Sequence, residues 1–265
     1  MRIALTGATG RLGGLVAPVL AAAGHDIDPL PGWQLGARPD LRGADALVHL
    51  ALAHVPGRYR GGEGDDPAAF RAANLDGTLA LFDAAHRAGV GRIVFLSSRA
   101  VHDGHPPGIR LTDDLPPAPT SLYGEVKARA ESVLAALPVA GTSLRATGVY
   151  GPGAANKWAP LFADFRAGRP IAPHVATEVH GHDLAAAILL ILTADDPPKT
   201  LNISDLVLDR HDLLAEVAAL TGCPQPLPDR ADASALRVLD CSGLQAMGWH
   251  PGGMERLRAT LPALV

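Results

Sequence analysis

The stretch RIALTGATGRLGG, residues 2–14, sets the fold class that we predict for this chain of 265 residues. A short apolar run ends at Thr6, glycines then recur at every third position from 7 to 13, and a helical pattern begins near Arg11. Glycines between a strand and a helix permit a tight turn and let the backbone approach a pyrophosphate, which the helix N-terminus attracts. The alternative is a turn whose glycines bind nothing. Because the glycines lie between a strand and a helix, the pattern favours a dinucleotide site.

Short apolar runs alternate with helical patterns along much of the chain. Continuous apolar segments at 45–51 (DALVHLA) and 92–98 (RIVFLSS) are typical of strands buried on both faces of a parallel sheet. Residues 74–89 carry an apolar helical stripe, and TSLRATGVYGP, 142–152, indicates one further strand that runs into a loop. The polar, glycine-rich segment 54–67 predicts a mobile loop. This alternation predicts an α/β protein with a doubly wound parallel sheet of the Rossmann type and a small C-terminal substrate lobe.

The boundaries of the lobe follow from a change of composition beyond Gly151. Prolines and glycines cluster at 151–173 and again at 222–230. Between these clusters, an apolar helical pattern at 183–194 and the short strand TLNIS continue the pattern of the main sheet. We therefore predict a dinucleotide-binding domain over 1–150, to which 181–207 returns, and a substrate-binding lobe formed by 151–180 and 208–265.

The composition argues against several classes of protein. A net charge of −4 without any basic tract gives no binding surface for nucleic acid or acidic membranes. The two cysteines, Cys223 and Cys241, are too few for a disulfide framework or a cysteine-based zinc site. The most apolar run, 184–194, is too short to cross a bilayer, and residues 1–6 begin a strand without a charged leader or an apolar signal segment. We therefore expect a cytoplasmic protein.

A second stretch, TSLYGEVKARAE at 120–131, places Tyr123 and Lys127 one turn apart on the same face of a predicted helix. They are either solvent-exposed neighbours or a proton-transfer pair. An unperturbed tyrosine, with a pKa of about 10, is a poor base at neutral pH, but a nearby ammonium favours the phenolate and lowers that pKa. A predicted strand ends in Ser97 and Ser98, 25 residues before Tyr123, where such a site needs polar partners. The combination favours proton transfer.

Further motifs occur in the order of a known family. After TGATGRLGG come DALVHLA, NLDGTLALFDAA, FLSSRAVHDG, YGEVK, LRATGVYGPG, VHGHDLAAAI and TLNISD, and LDCSGLQAMGWHP follows at 239–251. Each piece matches a family motif only modestly, but the ordered set is specific. The chain resembles the extended branch of the short-chain dehydrogenase/reductase superfamily, the NAD(P)-dependent nucleotide-sugar epimerase/dehydratase family.

The resemblance implies an NAD(P)-dependent epimerase or reductase, transferring hydride at a carbinol or keto carbon of a sugar or a similar small hydroxy compound. By the family's motifs, Tyr123 is the catalytic acid and base, Lys127 tunes it and binds the nicotinamide ribose, and Ser98 holds the substrate oxygen. Net chemistry is either epimerisation, with the cofactor regenerated in place, or simple oxidation and reduction. The alternative from another class is a non-catalytic dinucleotide-binding sensor, which would not need this trio.

The resemblance also marks the residues expected at the cofactor. Ser97 and Asn74 are supporting polar residues near the nicotinamide, and the glycine turn and two strand ends supply the other contacts. The full set is Gly7, Thr9, Gly10, Arg11, Leu12, Gly13, Arg38, Leu50, Ala51, Asn74, Ser97, Tyr123, Lys127, Thr147, Gly148 and Val149.

The adenosine side departs from the family pattern. The family usually ends its second strand with an acidic residue that binds the adenosine ribose, but Pro31 stands near that position and Asp28 comes earlier. Arg11 and Arg38 instead offer positive charge to a 2′-phosphate, so NADP is slightly preferred over NAD. Only about ten residues separate this strand from DLRGADALVHLA, so the usual intervening helix and strand are expected to be missing.

Two positions near the trio differ from the family as well. Arg99 and Ala100 follow Ser98, where the dehydratases carry Asp-Glu to eliminate water, so dehydration is not expected. His102 stands where the family has a tyrosine, which alters the pocket.

The position of the arginine that usually grips a nucleotide-sugar pyrophosphate is occupied by Ala176. Lys157, Arg166 and Arg169 are candidates to replace its charge. The substitution shifts the expected substrate from a nucleotide-linked sugar towards a smaller sugar or another hydroxy or keto compound.

Four residues, His174, His180, His182 and Asp183, are candidates for a metal site, because residues two apart on a strand share a face. His180 and Asp183 instead match the family motif V-H-x-x-D-L-A, in which Asp183 caps the following helix, so no metal is expected. Family members commonly dimerise through the helix that bears the Tyr–Lys pair and the one before it. This predicts a homodimer through about 120–136 and 70–88.

Overall fold

The computed structural model describes residues 1–55 and 62–265. The segment predicted to be a mobile loop, 54–67, includes residues 56–61, which lie outside the described residues. At its described end, the Asp66 carboxylate accepts a hydrogen bond of 2.9 Å from the backbone N–H of Ala69 and caps a short helix. The segment therefore leads directly into a defined helix start.

Six parallel strands form the main sheet of the described residues, in the order β2-β1-β3-β4-β6-β9. Their bounds are β1 Arg2–Thr6, β2 Asp26–Asp28, β3 Ala46–His49, β4 Arg92–Ser98, β6 Ala140–Ala146 and β9 Thr200–Ile203. The order runs outward from β1 in both directions, which is the doubly wound topology. The predicted Rossmann-type α/β sheet is confirmed.

Two smaller sheets have the orders β10-β8-β7 and β11-β5. Their strands are β5 Arg110–Leu111, β7 Gly148–Tyr150, β8 Val175–His180, β10 Leu206–Asp209 and β11 Val238–Leu239. The helices are α1 Gly13–Ala22, α2 Pro67–Arg71, α3 Gly77–Arg87, α4 Leu122–Ala136, α5 Ala159–Arg166, α6 Gly181–Thr193, α7 Arg210–Thr221, α8 Ser242–Ala246 and α9 Gly253–Thr260.

Apolar side chains cover both faces of the main sheet. On one face, Leu5 and its neighbours pack with α1 and α6, for example with Ile188. On the other face, Leu47 and Ile93 pack with side chains of α3 and α4, including Phe82. Burial on both faces explains why the strand sequences are continuous apolar runs rather than alternating ones.

The start of α4 is fixed by a side-chain cap. The Ser121 hydroxyl accepts a hydrogen bond of 3.1 Å from the N–H of Gly124, and Glu125 lies in the first turn, where the helix dipole favours negative charge. Tyr123 therefore lies in the first turn of the helix, and Lys127 lies one turn further along, as predicted.

The expectation that Asp183 caps α6 is wrong. The cap is His180, whose Nδ1 accepts a hydrogen bond of 3.1 Å from the N–H of His182. The Asp183 carboxylate instead accepts a hydrogen bond of 3.2 Å from the N–H of Gly252 and lies 3.1 Å from Nε of Arg256. Asp183 therefore contacts the C-terminal segment and does not cap its own helix, α6.

The segment 142–152 contains two strands instead of the single strand predicted. Strand β6 ends at Ala146, and β7 begins at Gly148 and pairs with β8 in a different sheet. The strand is interrupted because its two halves pair with different strands. Ala146 pairs with Ser98 of β4, whereas Tyr150 pairs with His180 of β8. Local sequence cannot reveal such a change of partner.

The connection between β2 and β3 contains no helix or strand, as the short spacing predicted. Leu30, Leu41 and Ala44 of this connection are buried against the face of the sheet that also packs with α3. Strand β2 is consequently an edge of the main sheet within the described residues.

A third apolar cluster lies beyond the main sheet. Tyr150, Trp158 and Phe162 pack there with residues of α7 and α9, such as Leu214 and Leu257. The division of the chain at residue 150, with 181–207 returning to the first unit, stays a prediction. Among the described helices, none has the length and apolar character needed to cross a membrane.

Candidate active and cofactor site

The glycine turn after β1 is packed too tightly for larger residues. Gly7 adopts φ of +71°, and a Cβ there would lie 2.9 Å from the N of Ala51. A Cβ on Gly13 would lie only 2.2 Å from the carbonyl oxygen of Gly7. The backbone of the turn is therefore bare and close to the start of α1, as a pyrophosphate-binding turn requires. Thr9, Gly10 and Arg11 are exposed around it.

A buried hydrogen-bond network joins the ends of β1 and β3 beneath this turn. The Thr6 hydroxyl accepts hydrogen bonds from the N–H groups of Leu50 (3.2 Å) and Ala51 (3.3 Å), so it donates its proton to Nδ1 of His49 at 2.6 Å. Nε2 of His49 then donates to Thr78 at 3.0 Å. Burial lowers the pKa of His49 to about 3, with the Lys127 charge as a smaller cause, so this ring is neutral and supports the turn.

Asn74 holds the loop after β3. It lies in a π-helical turn, Ala72–Asp76, and its side-chain amide makes two hydrogen bonds to the backbone of Ala53, at 2.7 and 2.8 Å. Such turns are frequent at functional sites. The structure places Asn74 beside the expected cofactor site, but its amide is engaged in positioning a loop.

Ser98, Tyr123 and Lys127 come together at the carboxyl end of β4. Ser98 ends the strand, and its hydroxyl lies near enough to Tyr123 to lower the pKa of that phenol, against the larger effect of burial. The Lys127 ammonium lies 5.9 Å from the centre of the Tyr123 ring and donates a hydrogen bond of 2.7 Å to the carbonyl of Leu96. The structure therefore unites the three residues that the sequence predicted as catalytic.

Burial shifts the pKa values of both residues of the Tyr–Lys pair. It raises the pKa of Tyr123 above its ordinary value, against the smaller opposing effect of the nearby Ser98 hydroxyl. It lowers the pKa of Lys127 to about 7, while the nearby Glu131 carboxylate acts in the opposite direction. Both shifts favour neutral side chains, so the phenolate–ammonium state requires further positive charge near Tyr123.

A buried charged network behind the trio was not predicted from the sequence. The Glu131 carboxylate accepts a hydrogen bond of 2.5 Å from Ser97 and one of 2.8 Å from Arg145, and only 4% and 3% of the Glu131 and Arg145 side chains are exposed. Arg145 also lies 3.1 Å from Nε2 of His102. Glu131 is four residues after Lys127, one turn further on the same helix face, and that spacing was a usable signal. Ser97 was expected at the nicotinamide, but its hydroxyl is directed to Glu131.

The remaining expected cofactor contacts lie where β6 continues into β7. The Thr147 hydroxyl is 3.4 Å from that of Ser204, and Val149 is half-buried. Gly148 is exposed and lies against the side chains of Lys157 and Glu178. This glycine therefore lies beside strand β8.

The adenosine side of the site contains a cavity of about 800 Å³ beside β2, lined by Pro31, Trp33 and Arg38 among others. Asp28 is the last residue of β2, but its carboxylate is held by Arg2 (2.8 Å) and by the N–H of Leu30 (3.0 Å). Arg38 is exposed and has no acidic partner among the described residues. The end of β2 therefore presents positive charge rather than a free carboxylate.

The described residues contain no cluster of histidine, cysteine and acidic side chains able to hold a metal ion. His180 and Asp183 have the structural contacts given above. Cys241 is buried and its thiol bonds the backbone of Ser204, and burial raises its pKa to about 12.

A doubly wound sheet binds its ligand at the carboxyl ends of the strands beside the first strand, where this chain has its glycine turn and the end of β4. The protein is therefore of the Rossmann-type dinucleotide-binding class. Comparison with known families specifies it further: residues 39–204 match the family described as "NAD dependent epimerase/dehydratase family". The chain belongs to this family.

Two relatives of this chain are UDP-glucose 4-epimerases. A UDP-glucose 4-epimerase of Corynebacterium glutamicum is 28% identical over 95% of this chain and 91% of its own length. A UDP-glucose 4-epimerase of Vibrio cholerae is 32% identical over 65% of this chain and 54% of its own length.

Solved structures share the fold over the whole chain. The UDP-glucose 4-epimerase of Thermus thermophilus, solved with NAD, is 26% identical with a TM-score of 0.78, covering 100% of this chain and 99% of its own. RMD of Pseudomonas aeruginosa, solved with NADPH, is 21% identical with a TM-score of 0.81, covering 100% and 98%. At 21% identity the likeness shows the fold alone.

Proposed function

We propose that this chain catalyses NAD(P)-dependent hydride transfer at a carbinol or keto carbon of a sugar or a similar small hydroxy compound. The observation that carries the proposal is the meeting of Ser98, Tyr123 and Lys127 at one strand end, in a chain of the NAD dependent epimerase/dehydratase family. The experiment that tests it is cofactor-dependent turnover of candidate substrates by the purified chain and by its Tyr123→Phe variant.

The roles of the trio follow from their contacts. Ser98 and Tyr123 lie close together, so a substrate oxygen between their hydroxyls would receive one donor from each. Tyr123 moves the proton to or from that oxygen, and Lys127 supplies the positive charge that favours the phenolate. The cofactor, when bound, accepts or donates the hydride and in its oxidised form adds positive charge near Tyr123.

The bare backbone of the glycine turn fits the pyrophosphate of this cofactor, because a Cβ at Gly13 would fill the turn. We assign Gly7, Gly10 and Gly13 to the pyrophosphate and Lys127 to the nicotinamide ribose. Arg99 and Ala100 beyond Ser98 carry no carboxylate, which argues for an epimerase or a reductase over a dehydratase. Cofactor that stays bound through purification would favour the epimerase. Cofactor that is consumed in proportion to the product would favour the reductase.

NADP is the preferred cofactor in this proposal. The Asp28 carboxylate is occupied by Arg2, so a ribose hydroxyl has no free acidic partner there. Arg38 lies exposed in the cavity beside β2 and can bind a 2′-phosphate with charge-assisted hydrogen bonds.

Titration of the purified chain should therefore give a Kd for NADPH about tenfold below that for NADH, a difference of about 1.4 kcal/mol. Arg38→Ser should remove the difference by weakening NADPH alone, as measured by isothermal titration calorimetry. The matched control is Arg42→Ser in the same cavity, since the Arg42 guanidinium is already paired with Asp40 at 2.6 Å. Equal affinities for the two cofactors in the parent chain would contradict the preference.

A homodimer is the expected assembly, through about 120–136, which includes α4, and about 70–88, which includes α3. Ala72, Ala80 and Ala136 are exposed on these segments, so two copies can approach closely. Light scattering during gel filtration should give about twice the chain mass of 27.4 kDa. A mass equal to that of one chain would refute the dimer.

A further inference from the structure

The buried ammonium of Lys127 is held by two groups of strand β4. Nζ of Lys127 lies over the ring of Phe95, 4.5 Å from the ring centre, and donates a hydrogen bond of 2.7 Å to the carbonyl of Leu96. A cation within roughly 6 Å of the centre of an aromatic ring is attracted by the negative potential of the ring face. Both contacts come from consecutive residues, and Ser98 ends the same strand. Strand β4 therefore fixes the ammonium relative to the proposed catalytic serine.

Strand β4 contains one aromatic residue, Phe95, which is only 1% exposed. The other apolar residues of the strand are aliphatic: Ile93, Val94 and Leu96. An aliphatic side chain of similar volume would also fill the core, because packing requires volume and shape rather than aromatic character. What a ring adds is the negative potential of its face. The contact with Lys127 therefore gives this ring a use that packing alone does not.

Burial makes the charged form of Lys127 costly. The residue is 5% exposed, and its ammonium has three N–H donors, of which the hydrogen bond to Leu96 uses one. Burial accordingly lowers the pKa of Lys127 to about 7. At neutral pH a neighbour that favours the ammonium therefore changes the fraction of molecules in which this lysine is charged.

The other titratable and charged groups around this ammonium do not replace the ring. Glu131, one turn further along α4, favours the ammonium, but its carboxylate is paired with Arg145 of β6 at 2.8 Å. His49 of β3 stacks on Phe95 with the ring centres 5.6 Å apart, and burial lowers the pKa of His49 to about 3, so it is neutral. The ring centre of Tyr123 lies 5.9 Å from the ammonium, so Phe95 presents the nearer of these two ring faces.

We propose that Phe95 is a positioning residue for the reaction, because its ring face holds the Lys127 ammonium in place and in its charged form. The charged form is the one that favours the phenolate of Tyr123. The inference rests on the proposed function, in which Tyr123 moves the proton. Phe95 acts through Lys127, so weakening its ring face should change the ionisation of this lysine before any substrate is added.

Nuclear magnetic resonance (NMR) can follow this ionisation directly, because the chain has three lysines, Lys127, Lys157 and Lys199. The full chain is labelled with ¹³C at lysine Cε and titrated without cofactor, and the signal of Lys127 is the one that disappears in Lys127→Met. Replacing Phe95 by 3,4,5-trifluorophenylalanine keeps the shape of the ring but removes most of the negative potential from its face. The pKa of Lys127 should then fall by about 1, a tenfold change in its acid dissociation constant.

Phe82 provides the matched control, since it lies edge-on to Phe95 with the ring centres 5.5 Å apart, in the same apolar cluster. Trifluorophenylalanine in place of Phe82 should change the pKa of Lys127 by less than about 0.3. Phe95→Leu removes the ring altogether and should lower the pKa of Lys127 about as far as fluorination does. Thermal unfolding of each variant shows whether it is folded.

Activity of the variant with the fluorinated ring at position 95 should fall in a way that depends on pH. The value of kcat/KM for the cofactor reports ionisations of the free chain. If the pKa of Lys127 falls from about 7 to about 6, the charged fraction falls about twofold at pH 6 and about tenfold at pH 8. We expect kcat/KM to fall by these factors relative to the parent chain. A defect of packing would instead give the same loss at both pH values.

The outcomes separate the inference from the proposed function. An unchanged Lys127 pKa with the fluorinated ring at position 95, or an equal fall with it at position 82, would overturn the inference. A lowered pKa with an equal loss of kcat/KM at pH 6 and pH 8 would refute the role of the ring in the reaction. Absence of Tyr123-dependent turnover of any candidate substrate would overturn the proposed function, while the NMR titration would still decide whether the ring holds the ammonium.

Discussion

Tyr123→Phe is expected to lower kcat by about 10²–10⁴ for the best of the candidate substrates, with the Kd of the cofactor changed less than about threefold. The substitution removes the phenolic hydroxyl near Ser98, on a ring whose centre lies 5.9 Å from the Lys127 ammonium. The step then lacks the group that we propose to move the proton. The measurement is steady-state turnover at saturating cofactor, together with a calorimetric titration of the cofactor.

Tyr150→Phe is the matched control. Its hydroxyl is buried and has no hydrogen-bond partner among the described residues, and its ring packs in the apolar cluster with Trp158. Loss of this hydroxyl should leave kcat unchanged. If Tyr123→Phe turned over at the rate of the parent chain, the proposed acid–base role would be wrong. If both variants lost activity together, the loss would reflect folding and not proton transfer.

Glu131→Ala is expected to lower the free energy of unfolding by about 3–5 kcal/mol. The substitution leaves the Arg145 guanidinium buried without its carboxylate and removes the acceptor of the Ser97 hydroxyl. The cost is therefore mainly that of an uncompensated buried charge. Urea unfolding followed by circular dichroism measures it, provided that the transition is reversible and two-state.

Two further variants test whether the buried charge causes the loss of stability in Glu131→Ala. Glu125→Ala on the same helix breaks the pair with Arg71, in which 51% and 50% of the side chains are exposed, and should cost less than about 1 kcal/mol. The double variant Glu131→Met/Arg145→Met removes both charges and should recover much of the loss. Equal costs for Glu131→Ala and Glu125→Ala would show that burial does not govern the pair.

The sequence predicted the elements whose local pattern agrees with their tertiary surroundings. Strand β4 has the predicted bounds, 92–98, because its apolar run is buried on both faces. The proposed catalytic trio could be located because a strand that ends in two serines and a Tyr–Lys spacing of one helical turn are local signals. The roles of the three residues came from the family's motifs. The lack of a helix and a strand between β2 and β3 could be predicted because few residues separate these two strands.

Other features depend on partners that are distant in the sequence. The break after Ala146 arises because β7 pairs with β8, and Asp183 failed as a cap because Gly252 and Arg256 compete for its carboxylate. The Glu131–Arg145 pair joins a helix to a strand, and a charged residue in a helical pattern normally indicates an exposed face. Such contacts are set by packing, so composition and periodicity do not reveal them.

Strand β2 is an edge of the main sheet as described, and this also bears on how the protein behaves at high concentration. An unpaired sheet edge is a template on which a second chain can add a strand, which is a route to aggregation. Strand β2 has only three residues, two of them aspartates, and Pro29 follows without a backbone N–H. An incoming strand would find few hydrogen-bond donors and a local negative charge. The edge that the shortened connection leaves at β2 is therefore protected against the addition of a strand from a second chain.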